Sequence, residues 1–258
     1  MAVIYSTYQA QQKSYTTQHL AVEMQQNIRA AMTLMKREIR MAGYDPTESG
    51  TAGISSAAGN LIQFSFDNNN NDDENIEDGD TNDQDENLRY GFTTGDGDSD
   101  GIADDGAESL YRIDANGSRT EVIAYDIQGI AFAYAFDNGD PDEKQLAAYG
   151  NGNVIWAMDA DDDGWLDTVL DTDRDGDIDA DDAEGGLALD PAFWPTQVEI
   201  AVTPIMAVRI WVLARSRIPI PGHSDNRTYV VGAARVNSND SFQRRLLVDT
   251  VNCRNMGL

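Results

Sequence analysis

The fold of this chain depends first on residues 20–43, which read LAVEMQQNIRAAMTLMKREIRMAG. Apolar side chains recur in this segment at spacings of three and four, as on one face of an amphipathic helix. No proline or glycine occurs between Ala2 and Ala42, so one long helix is predicted there. Gly43 is expected to be its C-cap, and Pro46 should prevent the helix from resuming. The apolar face comprises Leu20, Met24, Ile28, Met32, Met35 and Ile39.

The two halves of the predicted helix differ in polarity. Residues 5–17 are mostly polar, although they include Tyr5, Tyr8 and Tyr15. This half has too little apolar surface to join a core, so it is expected to project, whereas the second half should pack on a globular domain. The sequence therefore divides into a helical segment, residues 1–45, and a globular part, residues 46–258.

Beyond residue 45 the pattern changes from helical to strand-like. Short alternating or β-branched runs predict antiparallel strands, and Gln63 and Ser65 alternate with apolar residues as in a sheet with one wet face. The predicted fold class is α+β, with the long N-terminal helix packed on an antiparallel β-sheet. The predicted strands are residues 61–66, 88–92, 109–113, 121–125, 130–136, 208–214, 229–236 and 242–251.

Acidic residues are concentrated in two inserts. The chain has 258 residues and a formal net charge of −27, and 34 of its 45 acids lie in residues 67–108 and 137–190. Within the inserts, residues 68–86 and 137–183 carry few apolar residues apart from 154–158 and are predicted to be mainly surface loops, with a flexible low-complexity stretch at residues 68–74. Carboxylates at this density are either solvated or bind cations.

Residues 171–182, DTDRDGDIDADD, fit the template of a calcium-binding loop. Acidic side chains at positions 1, 3 and 5 can point inward, and Gly176 at position 6 allows a sharp turn. An EF-hand has glutamate at position 12, where this loop has aspartate, so affinity could be lower. The predicted ligands of this segment, loop 3, are Asp171, Asp173, Asp175, the Asp177 carbonyl, Asp179 and Asp182.

Two further segments repeat the first nine positions of the template. Loop 2, residues 159–167, precedes loop 3. Its position 12 is Leu170, which cannot ligate through its side chain, but Asp171 follows it and could bridge two adjacent ions. Loop 1, residues 96–104, lies in the first insert, with Glu108 one place beyond the usual closing position. The predicted ligands are Asp159, Asp161, Asp163, the Trp165 carbonyl and Asp167 in loop 2, and Asp96, Asp98, Asp100, the Ile102 carbonyl and Asp104 in loop 1.

The residues needed for catalysis are scarce. His19 and His223 lie near no nucleophile or metal-binding spacing and are interpreted as polar surface residues, while the single cysteine, Cys253, is interpreted as a buried free thiol. The glycine pairs lack the context of a phosphate-binding loop, and no basic patch is interleaved with aromatic residues. We therefore expect neither an enzyme nor a nucleic-acid-binding protein.

Both ends of the chain resemble a known family. Residues 24–31, MQQNIRAA, and 36–46, KREIRMAGYDP, resemble the post-membrane helix of PilW-type minor pilins. Residues 242–247, FQRRLL, and 251–258, VNCRNMGL, resemble the closing strand and ending of that family. The tandem of loops 2 and 3 resembles dockerin or thrombospondin type-3 calcium repeats.

The resemblance implies a minor pilin that helps to initiate or cap a type IV pilus, with other pilin subunits as partners. It implies that the protein is anchored in the inner membrane before assembly and is located in the periplasm or at the cell surface. We expect an apolar helix of about 20 residues upstream of Met1, enough to span a bilayer. The alternatives are a J-type pseudopilin of a type II secretion system and a calcium-dependent adhesion or recognition module.

Overall fold

The computed structural model describes residues 2–68, 79–116, 119–189 and 200–256. Most of the predicted low-complexity stretch lies outside these residues. The elements, in chain order, are helix α1 (Ala2–Ile39), β1 (Ile54–Ser56), β2 (Ile62–Ser65), β3 (Asn87–Gly91), β4 (Glu108–Asp114), β5 (Arg119–Phe136), β6 (Ala157–Met158), β7 (Trp165–Leu166), β8 (Thr168–Val169), β9 (Leu187–Ala188), β10 (Ile200–Ala201), β11 (Ile205–Arg215), β12 (Thr228–Val231), β13 (Ala234–Asn237) and β14 (Arg244–Asn252).

One large antiparallel sheet dominates the described part of the chain. Strands β1 to β5 are neighbours in sequence order, and β6, β8 and β9 continue beyond β5. β5 also pairs with β11, which pairs with β14, whereas β7–β10 and β12–β13 form separate ribbons. The structure thus has one N-terminal helix and a mostly β body, in agreement with the α+β prediction.

Strand β5 organises this sheet. The sequence predicts two strands, residues 121–125 and 130–136, but the structure has a single strand of 18 residues. Asp126 has a φ of 58°, and the register against β4 and β11 shifts close to it. A bulge therefore bends the strand without ending it, which lets its first half pair with β4 and its second half with β11.

Helix α1 ends at Ile39, three residues earlier than predicted. The N–H groups of Met41 and Ala42 then donate to carbonyls three residues back, those of Glu38 at 2.8 Å and Ile39 at 3.1 Å. Gly43 follows with a φ of 75°, and its N–H donates to the Ser65 carbonyl at 3.0 Å. The chain thus leaves the helix in a tighter turn that is tied to the sheet.

The predicted apolar stripe is confirmed as core. Met24, Ile28, Met32, Met35 and Ile39 are all buried, Leu20 is half-buried, and α1 contacts β5, β11 and β14. The first half of the helix projects as predicted, because Ile4, Tyr5, Tyr8 and Tyr15 are 73%, 64%, 56% and 71% exposed.

Polar contacts fix the docked half of the helix. Glu38 accepts hydrogen bonds from the Tyr90 hydroxyl and from Arg112 Nε, the latter at 2.9 Å. Lys36 Nζ lies 2.5 Å from Asp249 Oδ2 on β14. These pairs hold the helix in one register on the sheet.

The second insert contributes more to the core than its composition suggests. Leu166 and Leu170 are fully buried, beside the expected contribution of residues 154–158, and β6, β8 and β9 extend the main sheet. Most of this insert is loop, as predicted, but residues beyond 154–158 also reach the core, because a few apolar residues suffice to anchor short strands to a sheet that already exists. The predicted strand 229–236 is likewise a hairpin, which turns at Gly232 with a φ of 59°.

Candidate metal centre

The three acidic loops each bring their first three predicted ligands together. In each loop, one carboxylate oxygen from positions 1, 3 and 5 lies within 4.8 Å of the others. Oxygen donors grouped on a short turn are the ligands that Ca²⁺ prefers. The groups are Asp96, Asp98 and Asp100 in loop 1, Asp159, Asp161 and Asp163 in loop 2, and Asp171, Asp173 and Asp175 in loop 3.

The loops also share an unusual backbone conformation. Position 4 has a positive φ in all three, 61° at Ser99, 58° at Asp162 and 67° at Arg174. The glycine at position 6 has a φ between 83° and 98° in each loop. These left-handed residues turn the chain back on itself, which is why the acidic side chains converge.

Backbone N–H groups of the turn bond to the first and fifth side chains. The glycine N–H donates to position 1 at 3.1 Å in loop 1 (Asp96), 2.7 Å in loop 2 (Asp159) and 3.0 Å in loop 3 (Asp171). The position 7 residues Ile102, Trp165 and Asp177, predicted to ligate through their carbonyls, donate their N–H groups to the position 5 carboxylates at 2.7, 3.0 and 2.8 Å.

The loops differ in how they close. In loops 1 and 2 the position 9 carboxylates, Asp104 and Asp167, accept from the N–H of position 2 at 2.8 and 3.1 Å. In loop 3 that acceptor is Asp182, which is bonded to Thr172 N at 2.5 Å and to Asp179 N at 2.9 Å. Asp182 therefore braces the loop, while Asp179 accepts from the N–H of Asp181 at 2.9 Å. The predicted ligands beyond position 5 lie in the loops but outside the three carboxylate groups.

Position 1 is the most buried acidic residue of each tandem loop. Asp159 and Asp171 are both 0% exposed, and burial raises the pKa of each carboxyl above its ordinary value although backbone N–H groups oppose the shift. Asp171 Oδ1 is buried without a hydrogen-bond partner among the described residues. A buried carboxylate with an unpaired oxygen beside two others fits a divalent cation, which would supply the missing charge and coordination.

Residues distant in sequence from the loops, which the sequence patterns did not predict, hold the loops against the sheet. Asn60 Nδ2 donates to Asp96 at 3.2 Å, and Ser56 Oγ donates to Asp162 at 2.6 Å. Arg235 on β13 donates to the Asp179 carbonyl at 2.7 Å. No local pattern marks these residues, since each pair is separated by 36 residues or more.

The cysteine and the two histidines considered for catalysis lie outside the three acidic loops. Burial raises the pKa of the Cys253 thiol to about 12, as expected for an unreactive buried cysteine. His19 lies on the exposed helix 3.8 Å from Glu23, and His223 is half-buried with its Nε2 unpaired among the described residues. Within the described residues, no helix combines the length and apolarity needed to cross a membrane.

Comparisons with known proteins place these features in context. Residues 17–140 match the family described as "PpdB: Prepilin peptidase-dependent protein B". Among solved structures, the chain is similar to "Type IV-like pilin TTHA1219 from Thermus thermophilus", with 14% identity, a TM-score of 0.44, and coverage of 90% of this chain and 98% of that one. No curated protein matches the chain significantly.

The family match makes residues 17–140, just under half of the 258-residue chain, similar to a prepilin peptidase-dependent protein. It covers the docked half of α1, strands β1 to β5 and loop 1. Loops 2 and 3 and the C-terminal resemblance lie outside it.

Proposed function

We propose that this chain is a non-enzymatic minor pilin of the PilW type, anchored in the inner membrane before assembly and incorporated at the periplasmic side or cell surface. The observation that carries the proposal is the unequal burial of α1. Residues 24–39 supply the buried stripe, while Ile4, Tyr5, Tyr8 and Tyr15 have no core of their own. An exposed half-helix continuous with a docked half is suited to packing against the helices of other pilin subunits.

Cross-linking in the producing cell tests this role. Tyr8→Cys lies on the projecting half-helix and Asp181→Cys on exposed loop 3, while native Cys253 is buried and unreactive. With a short thiol-to-amine reagent, Tyr8→Cys should give adducts with other pilin subunits in sheared filaments, and Asp181→Cys should give far fewer. Equal cross-linking from both positions, or absence of the protein from the filament fraction, would contradict the proposal.

The J-type pseudopilin is the second candidate, because the family match is compatible with pili and pseudopili alike. Deletion of the gene separates them. Loss of surface pili with normal secretion would favour the minor pilin, whereas loss of secretion with normal pili would favour the pseudopilin.

We further propose that the three loops bind Ca²⁺. The support comes from the convergent carboxylates, the shared turn geometry and the unpaired buried oxygen of Asp171. The ligands would be the carboxylates at positions 1, 3 and 5 with the carbonyl at position 7, and the ion would neutralise carboxylates that repel each other.

Calorimetric titration with CaCl₂ tests this second proposal. We expect exothermic or endothermic heats that saturate, and Asp171→Asn with Asp175→Asn should remove the loop 3 contribution. Asp140→Asn with Asp142→Asn is the matched control, since it removes two exposed acids of the same insert outside the loops. Equal titrations for the two double variants would leave the loops as solvated acidic turns.

A further inference from the structure

A cleft of about 570 Å³ lies where the acidic loops meet the sheet. Its floor is apolar and includes the buried residues Ala131, Met158 and Val231. The volume lies within the range of about 300 to 1,000 Å³ that is typical of ligand-binding clefts. The cleft borders the carboxylate groups of loops 1 and 2 and shares Asp98, Asp100 and Asp161 with them.

The rim of the cleft is acidic on several sides. Loop 1 contributes Asp98 and Asp100, loop 2 contributes Asp161 and Asp162, and Glu184 follows loop 3. All five residues are exposed. Asp162 and Glu184 are outside the three carboxylate groups, so they would keep their charge when the loops hold cations.

The rim of the cleft stays negative when loops 1 and 2 each bind a divalent cation. Loops 1 and 2 together carry nine carboxylates, so two divalent cations leave them negative. The apolar floor and acidic rim together suit a chain of methylene groups that ends in a positive charge.

We propose that the cleft binds a lysine side chain presented by a basic segment of a partner protein. The aliphatic part of the lysine contacts Met158 and Val231, and the ammonium group pairs with Asp162 and Glu184 at the rim. The site is distinct from the projecting half of α1, and it therefore gives the globular part of the subunit its own contact.

Two substitutions test the site without removing a ligand from the carboxylate groups. Ala160→Trp places a large side chain in the cleft from an exposed position of loop 2, and Ala180→Trp is its match in loop 3, outside the cleft. Glu184→Gln removes one negative charge from the rim at an exposed position. It tests the site independently if Ala160→Trp disturbs folding.

The probe is a blocked pentapeptide, Ala-Lys-Ala-Lys-Ala, titrated into the labelled protein in CaCl₂ while the amide resonances of Gly185 and Ala233 are followed. We expect saturable shifts, an affinity about tenfold weaker in Ala160→Trp and about threefold weaker in Glu184→Gln, and no change in Ala180→Trp. Binding should weaken as NaCl rises from about 50 to about 500 mM.

Absence of shifts, equal binding by the two tryptophan variants, or equal binding of the peptide with glutamate in place of lysine would overturn the proposal. So would self-association that Ala160→Trp abolishes, because the occupant would then be a second copy of this chain. Peptide binding with no calcium heat would contradict only the calcium proposal, so the two can fail separately.

Discussion

Two buried carboxylates, Asp225 in the body of the protein, outside the two inserts, and Asp171 in loop 3, differ in how their charge is compensated within the chain. Asp225 is 2% exposed and accepts from Arg227 Nε at 2.9 Å and from the Tyr229 hydroxyl at 2.9 Å. Asp171 is 0% exposed, and its Oδ1 has no partner among the described residues. The charge of Asp225 is therefore compensated by arginine side chains of the chain itself, whereas an added cation would compensate that of Asp171.

The largest effect is expected from a charge in the apolar body. Ile28→Asp places an unpaired carboxylate on the buried face of α1 and should lower the free energy of unfolding by about 4 kcal/mol or more. Gln11→Asp, on the exposed half of the helix, should change it little. Urea unfolding measures both, and similar small losses would show that the helix is not docked as described.

A smaller effect should separate two glycines at equivalent loop positions. A Cβ at Gly101 would lie 2.3 Å from the Ile130 carbonyl oxygen on β5, while a Cβ at Gly164 would meet nothing within 4 Å. Both have a positive φ. Without calcium, Gly101→Ala should cost about 3 kcal/mol and Gly164→Ala about 1 kcal/mol. Equal costs in thermal melts would mean that loop 1 does not rest on the body.

Calcium should stabilise the folded chain through the loops. At roughly a hundredfold excess of free calcium over Kd, one site adds about 2.7 kcal/mol to the free energy of unfolding. The double variant Asp171→Asn with Asp175→Asn should lose the part of this stabilisation that comes from calcium in loop 3. The control Asp140→Asn with Asp142→Asn should keep all of it. Melting curves with and without EDTA provide the measurement, and identical curves for the unmutated protein would refute the prediction.

The smallest effects are changes of stability with pH. They should have opposite signs for Asp225 in the body and Glu86 in the first insert. Burial opposes ionisation of Asp225, but hydrogen bonds from Arg227 and Tyr229 outweigh it and lower its pKa from 3.8 to about 2. Its stabilisation is present above about pH 4 and is lost as pH falls towards 2, with a maximum of about 2 kcal/mol. The stability difference between the unmutated protein and Asp225→Asn should shrink over that interval.

Glu86, at the base of the first insert, provides the contrast. Burial raises its pKa from 4.5 to about 7, and nearby Asp83 and Asp67 add to the shift. Stability is therefore full below about pH 4.5 and falls as pH rises to 7, by about 1 to 2 kcal/mol. Glu86→Gln should remove this loss, and melts between pH 4.5 and 8 that run parallel for the two proteins would contradict the shift.

Much of the body could be predicted because its patterns are local and repeated. The stripe from Met24 to Ile39 is read from helical spacing alone, and most strand positions follow from alternation. The errors arose where tertiary contacts outweigh local signals. Asp126 bends β5 without ending it, and Gly232 divides one predicted strand into a hairpin. An apolar run does not reveal whether an interruption within it is a bulge or a turn.

The loops show the same division. Acidic residues at alternate positions with glycine at position 6 predicted three convergent carboxylate groups, and the structure brings all three together. The closing residues could not be predicted as well, since Asp182 braces backbone N–H groups at a position where the template has a ligand. Whether calcium occupies the loops stays a prediction.

By itself, the sequence determined the features that depend on residues a few positions apart, namely the half-apolar helix and the sharp acidic turns. Only the tertiary structure decided that Leu166 and Leu170 join the core, that Asn60 supports Asp96, and that loops 1 and 2 enclose a cleft. The physical reason is distance along the chain. These contacts depend on how β5 registers against β4 and β11, and that register is set by packing across the whole sheet.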